Sequence, residues 1–187
     1  LITHMDDQVG RILRHLEETG LKEETLILFT SDHGEHLGDH GLIQKGPPGL
    51  ESCAHVPLIV SYPAEIAAGQ RLDALIEAVD IGPTILDYCG VQTPPFFQGR
   101  SFRALMEDGD YAPRTSAYIE FKDPFRSSWK TVRTHAYKYC VLSGDQGASA
   151  PTELLYDLQN DPHERRNVAA DPAYREALEA MRAELVR

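Results

Sequence analysis

The chain has 187 residues, 42% of them hydrophobic and 25% charged, enough for one domain of ordinary size with a real core. A net charge of −11 would repel nucleic-acid phosphates over most of the surface, so no nucleic-acid partner is expected. No apolar run is long enough to cross a bilayer, so no membrane partner is expected either.

The opening segment carries Ile2, Met5, Val9, Ile12, Leu13 and Leu16 at helical spacing, with charges mostly on the other face, and Gly20 is placed to end that helix in a left-handed cap. A polar turn, Lys22-Glu23-Glu24, leads to Leu26-Ile27-Leu28-Phe29. This fully apolar run reads as a parallel strand covered on both faces.

After this strand comes the stretch richest in chemistry, Thr30 to Gly46, with Asp32, His33, Glu35, His36, Asp39, His40 and Lys45 spaced by glycines. Carboxylates and imidazoles at the carboxyl end of a buried strand suggest a metal site, because open α/β sheets bind ligands there. His33, His36 and His40 could form a three-histidine zinc site on a helix. Gly34, Gly38 and Gly41 argue against a stable helix.

The loop from 31 to 51, with Gly46-Pro47-Pro48-Gly49, is long enough to favour a functional role. Val56 to Tyr62 reads as a second parallel strand, and Gln70–Asp73 as a short extended segment. Asp80 is a plausible N-cap for a helix through Ile81, Ile85, Leu86 and Cys89, with Pro83 in its first turn and Gly90 closing it. A short helix is expected near Phe102–Met106.

Beyond residue 113 the pattern changes to Ser116–Phe121, Ser128–Thr134, Tyr137–Leu142 and Glu153–Asp157. These short runs, rich in aromatic and β-branched residues, predict an antiparallel sheet. Asp171-Pro172 then starts an amphipathic helix through Tyr174, Leu178, Met181 and Leu185. Cys53, Cys89 and Cys140, odd in number and far apart, form no disulfide framework and no paired zinc spacing. Each reads as a small buried hydrophobe.

Asp32-His33-Gly34-Glu35 with Leu37-Gly38-Asp39-His40-Gly41 and Lys45-Gly46 resembles the distal metal-site loop of the sulfatases of the alkaline phosphatase superfamily, a group that includes phosphonate monoester hydrolases. His4-Met5-Asp6-Asp7, Glu51-Ser52 leading to His55-Val56-Pro57-Leu58-Ile59-Val60, Val79 to Asp87, and Glu153 to Leu158 with Asn160-Asp161-Pro162 and Glu164 agree in the same order. His33, where many sulfatases carry Asn, is similar to the phosphonate and phosphate-diester hydrolases of the group.

The resemblance implies an α/β fold: the C-terminal half of an alkaline-phosphatase-like α/β domain over residues 1–112, its sheet rich in parallel strands. A small antiparallel sheet and C-terminal helix follow over 113–187. It implies Asp32 and His33 as ligands of a divalent metal (Ca, Mn, Mg or Zn) and Lys45 as the contact to the transferred group. The substrate would be a small-molecule sulfate, phosphate or phosphonate ester. His40 is expected to line the pocket or help hold the loop, and His36 to be structural. Glu35 and Asp39 could orient histidines or be plain surface carboxylates, and Glu51 could anchor the lysine loop or simply start a helix. His55 is expected to be a packing residue. Arg100, Arg126 and Trp129 could reach the substrate pocket, with a surface position the favoured reading for each. Tyr156 and Asp157 are expected to link the terminal sheet to the main domain.

The family's nucleophile is a formylglycine made in a Cys-x-Pro-x-Arg motif. None of the three cysteines has that context, while Ser61-Tyr62-Pro63 and Ser149-Ala150-Pro151 are followed by Glu65 and Glu153 where Arg belongs. The chain, which opens at Leu1 inside a helical pattern, therefore reads as truncated at its N-terminus and inactive alone. Exposed sheet edges could make it a homo-oligomer. The compartment, cytoplasmic or periplasmic, is left open because no signal segment can be read. A non-catalytic binding or regulatory module that keeps the fold is the alternative.

Overall fold

The computed structural model describes residues 1–46, 49–122, 128–142 and 151–186. They form two compact units that interleave in sequence: 1–30, 57–73 and 79–111 make one, and 31–56, 74–78 and 112–186 fall in the other. No helix among them is long and apolar enough to cross a membrane.

In the first unit, α1 (Ile2–Glu18) ends as its sequence predicts. Gly20 sits at φ +72 and Leu21 donates its N–H back to the Leu16 carbonyl, a Schellman closure that needs a residue free to go left-handed. Helix α3 (Ile81–Tyr88) closes the same way through Gly90 and the Val91 N–H. Asp80, however, is not the expected side-chain cap. It is fully buried and accepts the Arg100 N–H at 2.8 Å, while its carbonyl accepts the Thr84 hydroxyl. A short helix, α4 (Arg103–Met106), lies where one was expected.

Strands β1 (Ile27–Thr30) and β2 (Leu58–Ser61) pair with each other, and they pair antiparallel, with Ile27 opposite Ser61 and Thr30 opposite Leu58. This corrects the expected parallel direction. An apolar run records that a strand is to be covered and carries no information on its direction. Nor is it covered here: Phe29 and Ile59 are exposed, as are Ile2, Met5 and Ile12 of α1. Gln70–Asp73 forms no strand. The nearest pairing is an isolated bridge of Leu75 with Arg114 in the second unit.

The second unit is built on an antiparallel sheet in the order β3 (Ala117–Phe121), β4 (Trp129–Arg133), β5 (Tyr137–Leu142), β6 (Thr152–Asp157). Side chains alternate across it with period two. Val132, Tyr139 and Leu155 stand in one cross-strand row and pack with Val168, Leu178 and Met181. The last two lie on α5 (Arg175–Leu185), which follows the turn started by Asp171, whose carboxylate accepts the Ala173 N–H.

The next row, Arg133, Lys138 and Tyr156, lies on the opposite face and is partly charged. Lys138 is 1% exposed. Its ammonium lies 2.6 Å from Glu51 Oε1 and 2.7 Å from Glu164 Oε1, and donates to the Gly49 carbonyl at 3.1 Å. The approach to Glu164 Oε1 is a charge contact rather than a directed hydrogen bond, while Glu164 Oε2 accepts the Glu51 N–H at 2.7 Å.

One buried cation thus holds two carboxylates and a carbonyl together, with Arg133 as a second, longer contact to Glu51 at 3.5 Å. Lys138→Met should strip Glu164 Oε1 and the Gly49 carbonyl of their cation and leave Glu51 to Arg133, at a cost of about 3–5 kcal/mol in a urea-unfolding experiment. Burial pushes the Glu51 carboxyl up, but Lys138 and then Arg133 hold it below its ordinary value of 4.5. The Glu51 contribution to stability is therefore complete above that value and is lost as the pH falls through the lowered one. Acid titration followed by circular dichroism should show this loss, and in Lys138→Met it should shrink, since Arg133 remains.

Candidate metal and anion site

The segment from Ser31 to Gly46 leaves β1 and folds into an irregular loop of the second unit. Its backbone closes on itself: Gly38 donates to the Leu42 carbonyl at 2.8 Å, and His36 to the Gln44 carbonyl at 3.1 Å. Left-handed residues make the bends, and three of them carry side chains, Leu37, His40 and Gln44. Helix α2 (Glu51–Ala54) lies against this loop, and the Gly34 N–H donates to the Cys53 carbonyl at 2.8 Å. A Cβ at residue 34 would stand 2.0 Å from the Ser52 carbonyl oxygen, so glycine here is a matter of space.

At the start of the loop, Asp32 and His33 converge. Asp32 Oδ1 accepts the His33 N–H at 3.0 Å, and Oδ2 lies 3.4 Å from His33 Nε2. The His33 N–H, followed by electrostatic attraction from the His33 ring, keeps the Asp32 carboxyl below its ordinary range. His33 Nδ1 lies 2.8 Å from the Gly34 carbonyl, which can only accept. That contact places the ring proton on Nδ1 and leaves the Nε2 lone pair directed outward. Lys45 fills this position from the far side of the loop, its Nζ 2.8 Å from Nε2.

The donor set fits a divalent ion in kind: one hard carboxylate oxygen and one neutral imidazole nitrogen, close enough to share a ligand. It is incomplete in number. Among the described residues no group of three or more His, Cys, Asp or Glu could hold a metal. Cysteine and histidine elsewhere in the loop do not complete it. His36 is turned inward, 3% exposed, with Nδ1 2.8 Å from Ser52 Oγ and Nε2 3.3 Å from Cys53 Sγ. The three imidazoles therefore do not form a zinc cluster. His40 is exposed at φ +53 within the 39–41 turn.

Other expectations are corrected. Glu35 accepts the Leu37 N–H and orients no imidazole. His55 is exposed beside Glu51 rather than packed. Trp129 is buried against Gly49, and the Arg100 guanidinium is half-buried over the Tyr111 ring, so neither is a surface residue. Cys89 is exposed while Cys53 and Cys140 are buried. Asp157 binds the Gln159 and Asn160 amides and the Tyr174 hydroxyl, all in its own unit. Arg126 lies outside the described residues. Glu51 does both things proposed for it: it begins α2 and anchors the segment to Lys138.

Comparison with known proteins identifies the class. The model of the N-sulphoglucosamine sulphohydrolase C-terminal family matches residues 38–187. A multifunctional alkaline phosphatase superfamily protein of Trinickia caryophylli is 36% identical, over 93% of this chain and 36% of its own length. An N-acetylglucosamine-6-O-sulfatase of Bacteroides thetaiotaomicron is 34% identical, over 91% of this chain and 31% of its own. The solved phosphonate monoester hydrolase of Agrobacterium radiobacter superposes with a TM-score of 0.87 at 31% identity, over 99% of this chain and 39% of that one. The chain is thus a mixed α/β unit of alkaline-phosphatase-like fold. It belongs to the sulfatase family, matching the C-terminal portion, and spans about a third of the length of the relatives it resembles.

The loop geometry gives a direct test. Gly34→Ala should force α2 away from the loop and cost about 1–3 kcal/mol, as other over-packed positions do. Protection of the Gly34-position amide from hydrogen exchange should fall by the same factor, because its acceptor is the Cys53 carbonyl.

Proposed function

We propose that this chain is the C-terminal part of a metal-dependent hydrolase of sulfate, phosphate or phosphonate esters. The observation that supports it is the convergence of Asp32 Oδ2 and the unprotonated His33 Nε2, 3.4 Å apart, with the Lys45 ammonium beside them. Residues 1–112 would belong to the catalytic domain and 113–187 to a C-terminal subdomain. A formylglycine nucleophile and the remaining metal ligands would come from sequence outside this chain.

In this reading Asp32 and His33 hold the ion, and the Gly34 carbonyl fixes the imidazole in the tautomer that presents Nε2. A bound divalent ion supplies Lewis-acid stabilisation of charge building on ester oxygens. The Lys45 ammonium, 2.8 Å from Nε2, would stand beside an ion held by Asp32 and His33 as a preorganised positive charge for the transferred sulfuryl or phosphoryl group. His40, exposed on the 39–41 turn, is proposed to line the pocket. The substrate is a small-molecule ester, and relatives carrying both sulfatase and phosphonate-hydrolase names support leaving S and P together.

Lys45→Ala in the complete protein should lower kcat about 10²–10³-fold on p-nitrophenyl sulfate or on a phenyl phosphonate ester, the scale of one lost charge-stabilising donor. Asp32→Ala and His33→Ala should abolish metal-dependent turnover, and a chelator should do the same reversibly. The isolated 187-residue chain should be inactive in the same assay and should self-associate in sedimentation. Turnover by the isolated chain would overturn the division of the site. A complete protein that turns over neither ester with any of the four metals would favour a non-catalytic module.

A further inference from the structure

The loop that carries Asp32, His33 and Lys45 is exposed almost throughout, yet one of its polar side chains is buried and saturated. We infer that His36 is the positioning residue of this loop, its imidazole a strut between Ser52 and Cys53 that holds His33 and Lys45 at their working separation. This rests on the reading of Asp32, His33 and Lys45 given above.

The argument is geometric. His36 lies three residues after His33, and its backbone N–H donates to Gln44, the residue before Lys45. Its backbone therefore joins the two ends of the loop that must meet. Its ring joins the same point to α2, through Ser52 Oγ at 2.8 Å on Nδ1 and Cys53 Sγ at 3.3 Å on Nε2. A neutral imidazole satisfies both, donating from one nitrogen and accepting at the other.

An apolar side chain could fill this space as well, but it could make neither directed contact to α2. The second torsion of a histidine is broad, and here contacts on both ring edges pin it. The partners themselves are fixed. Ser52 and Cys53 follow Glu51, which Lys138 anchors at 2.6 Å, and the Cys53 carbonyl also receives the Gly34 N–H. With both ring nitrogens occupied, His36 is not available as a metal ligand. Its effect is to reduce the freedom of the residues that are.

The test uses the complete protein, Mn²⁺ as the metal probe and p-nitrophenyl sulfate as substrate, comparing His36→Leu, His36→Asn, Ser52→Ala and Val168→Ala. Val168 is buried with α5 and far along the chain from the loop, and serves as a stability control. His36→Leu should weaken Mn²⁺ binding about tenfold, at the lower end of what outer-shell partners of metal ligands contribute. It should lower kcat at saturating metal with little change in KM. His36→Asn, which keeps a polar atom where Nδ1 was, should recover most of the loss. Ser52→Ala should reproduce the loss, and the double variant should be no worse than either single one. Val168→Ala should lower the melting temperature and leave both constants alone.

In metal-free protein, the ¹⁵N shifts of the His33 ring should move from the Nδ1–H pattern toward a mixed one in His36→Leu. They should stay in place in Val168→Ala. His36→Leu and Ser52→Ala variants that melt earlier but bind Mn²⁺ normally and keep the His33 pattern would overturn the inference. If His36→Leu does not fold, Ser52→Ala decides. His33→Ala and Lys45→Ala variants that keep full activity would sink the functional reading instead, and the metal-free His33 signature would still judge the strut.

Discussion

The second unit depends on one buried charge. A lysine ammonium away from water is tolerable only when acceptors surround it, and Lys138 has the Glu51 and Glu164 carboxylates and the Gly49 carbonyl. Two of these three partners lie in the segment that leads into α2. The requirement to neutralise Lys138 therefore also fixes where that segment sits on the sheet. Trp129 and Thr131 complete the seat by closing over Gly49, where an added Cβ would come within 2.7 Å of the indole and 3.3 Å of the Thr131 hydroxyl. Glu164 is held at φ +54, an unfavourable backbone for a residue with a side chain, so its placement is maintained by its partners.

From this seat the constraint passes outward in short steps. Lys138 holds Glu51, and the next two residues present Ser52 Oγ to His36 and the Cys53 carbonyl to Gly34. Gly34 in turn offers its own carbonyl to His33 Nδ1, which sets the tautomer of the imidazole that faces Lys45. Beyond the Lys138–Glu51 pair, no single contact in this series is strong. Each is short and directed, and together they let an irregular, exposed loop present Asp32, His33 and Lys45 in one arrangement.

Much of this was legible in the sequence where the signal is local. The short aromatic- and β-branched-rich runs after residue 113 lie within a residue or two of the observed strands, and Gly20 and Gly90 ended their helices for the reason expected of glycine. Asp32, His33 and Lys45 stood out because a motif carries them within fourteen positions. Strand direction was not legible, since an apolar run such as Leu26–Phe29 looks the same whichever way its neighbour runs. Nor were the buried partners of the loop. Lys138 is 89 residues from the carbonyl it binds, and an isolated lysine in a strand ordinarily signals a solvated face. Cys53 looked like a small hydrophobe, and only the fold puts His36 against it.

The interleaving of the two units bears on how the chain is made. Residues 31–56 emerge during synthesis well before Arg133, Lys138 and Glu164, on which their final arrangement rests. Until β5 and the turn holding Glu164 are available, the Glu51 carboxylate has no buried counter-charge, and α2, a single helical turn, is too short to persist alone. Long-range closure of this kind is slow compared with local helix formation. The loop of Asp32, His33 and Lys45 would thus be among the last parts of this chain to acquire its shape, after completion of the C-terminal sheet.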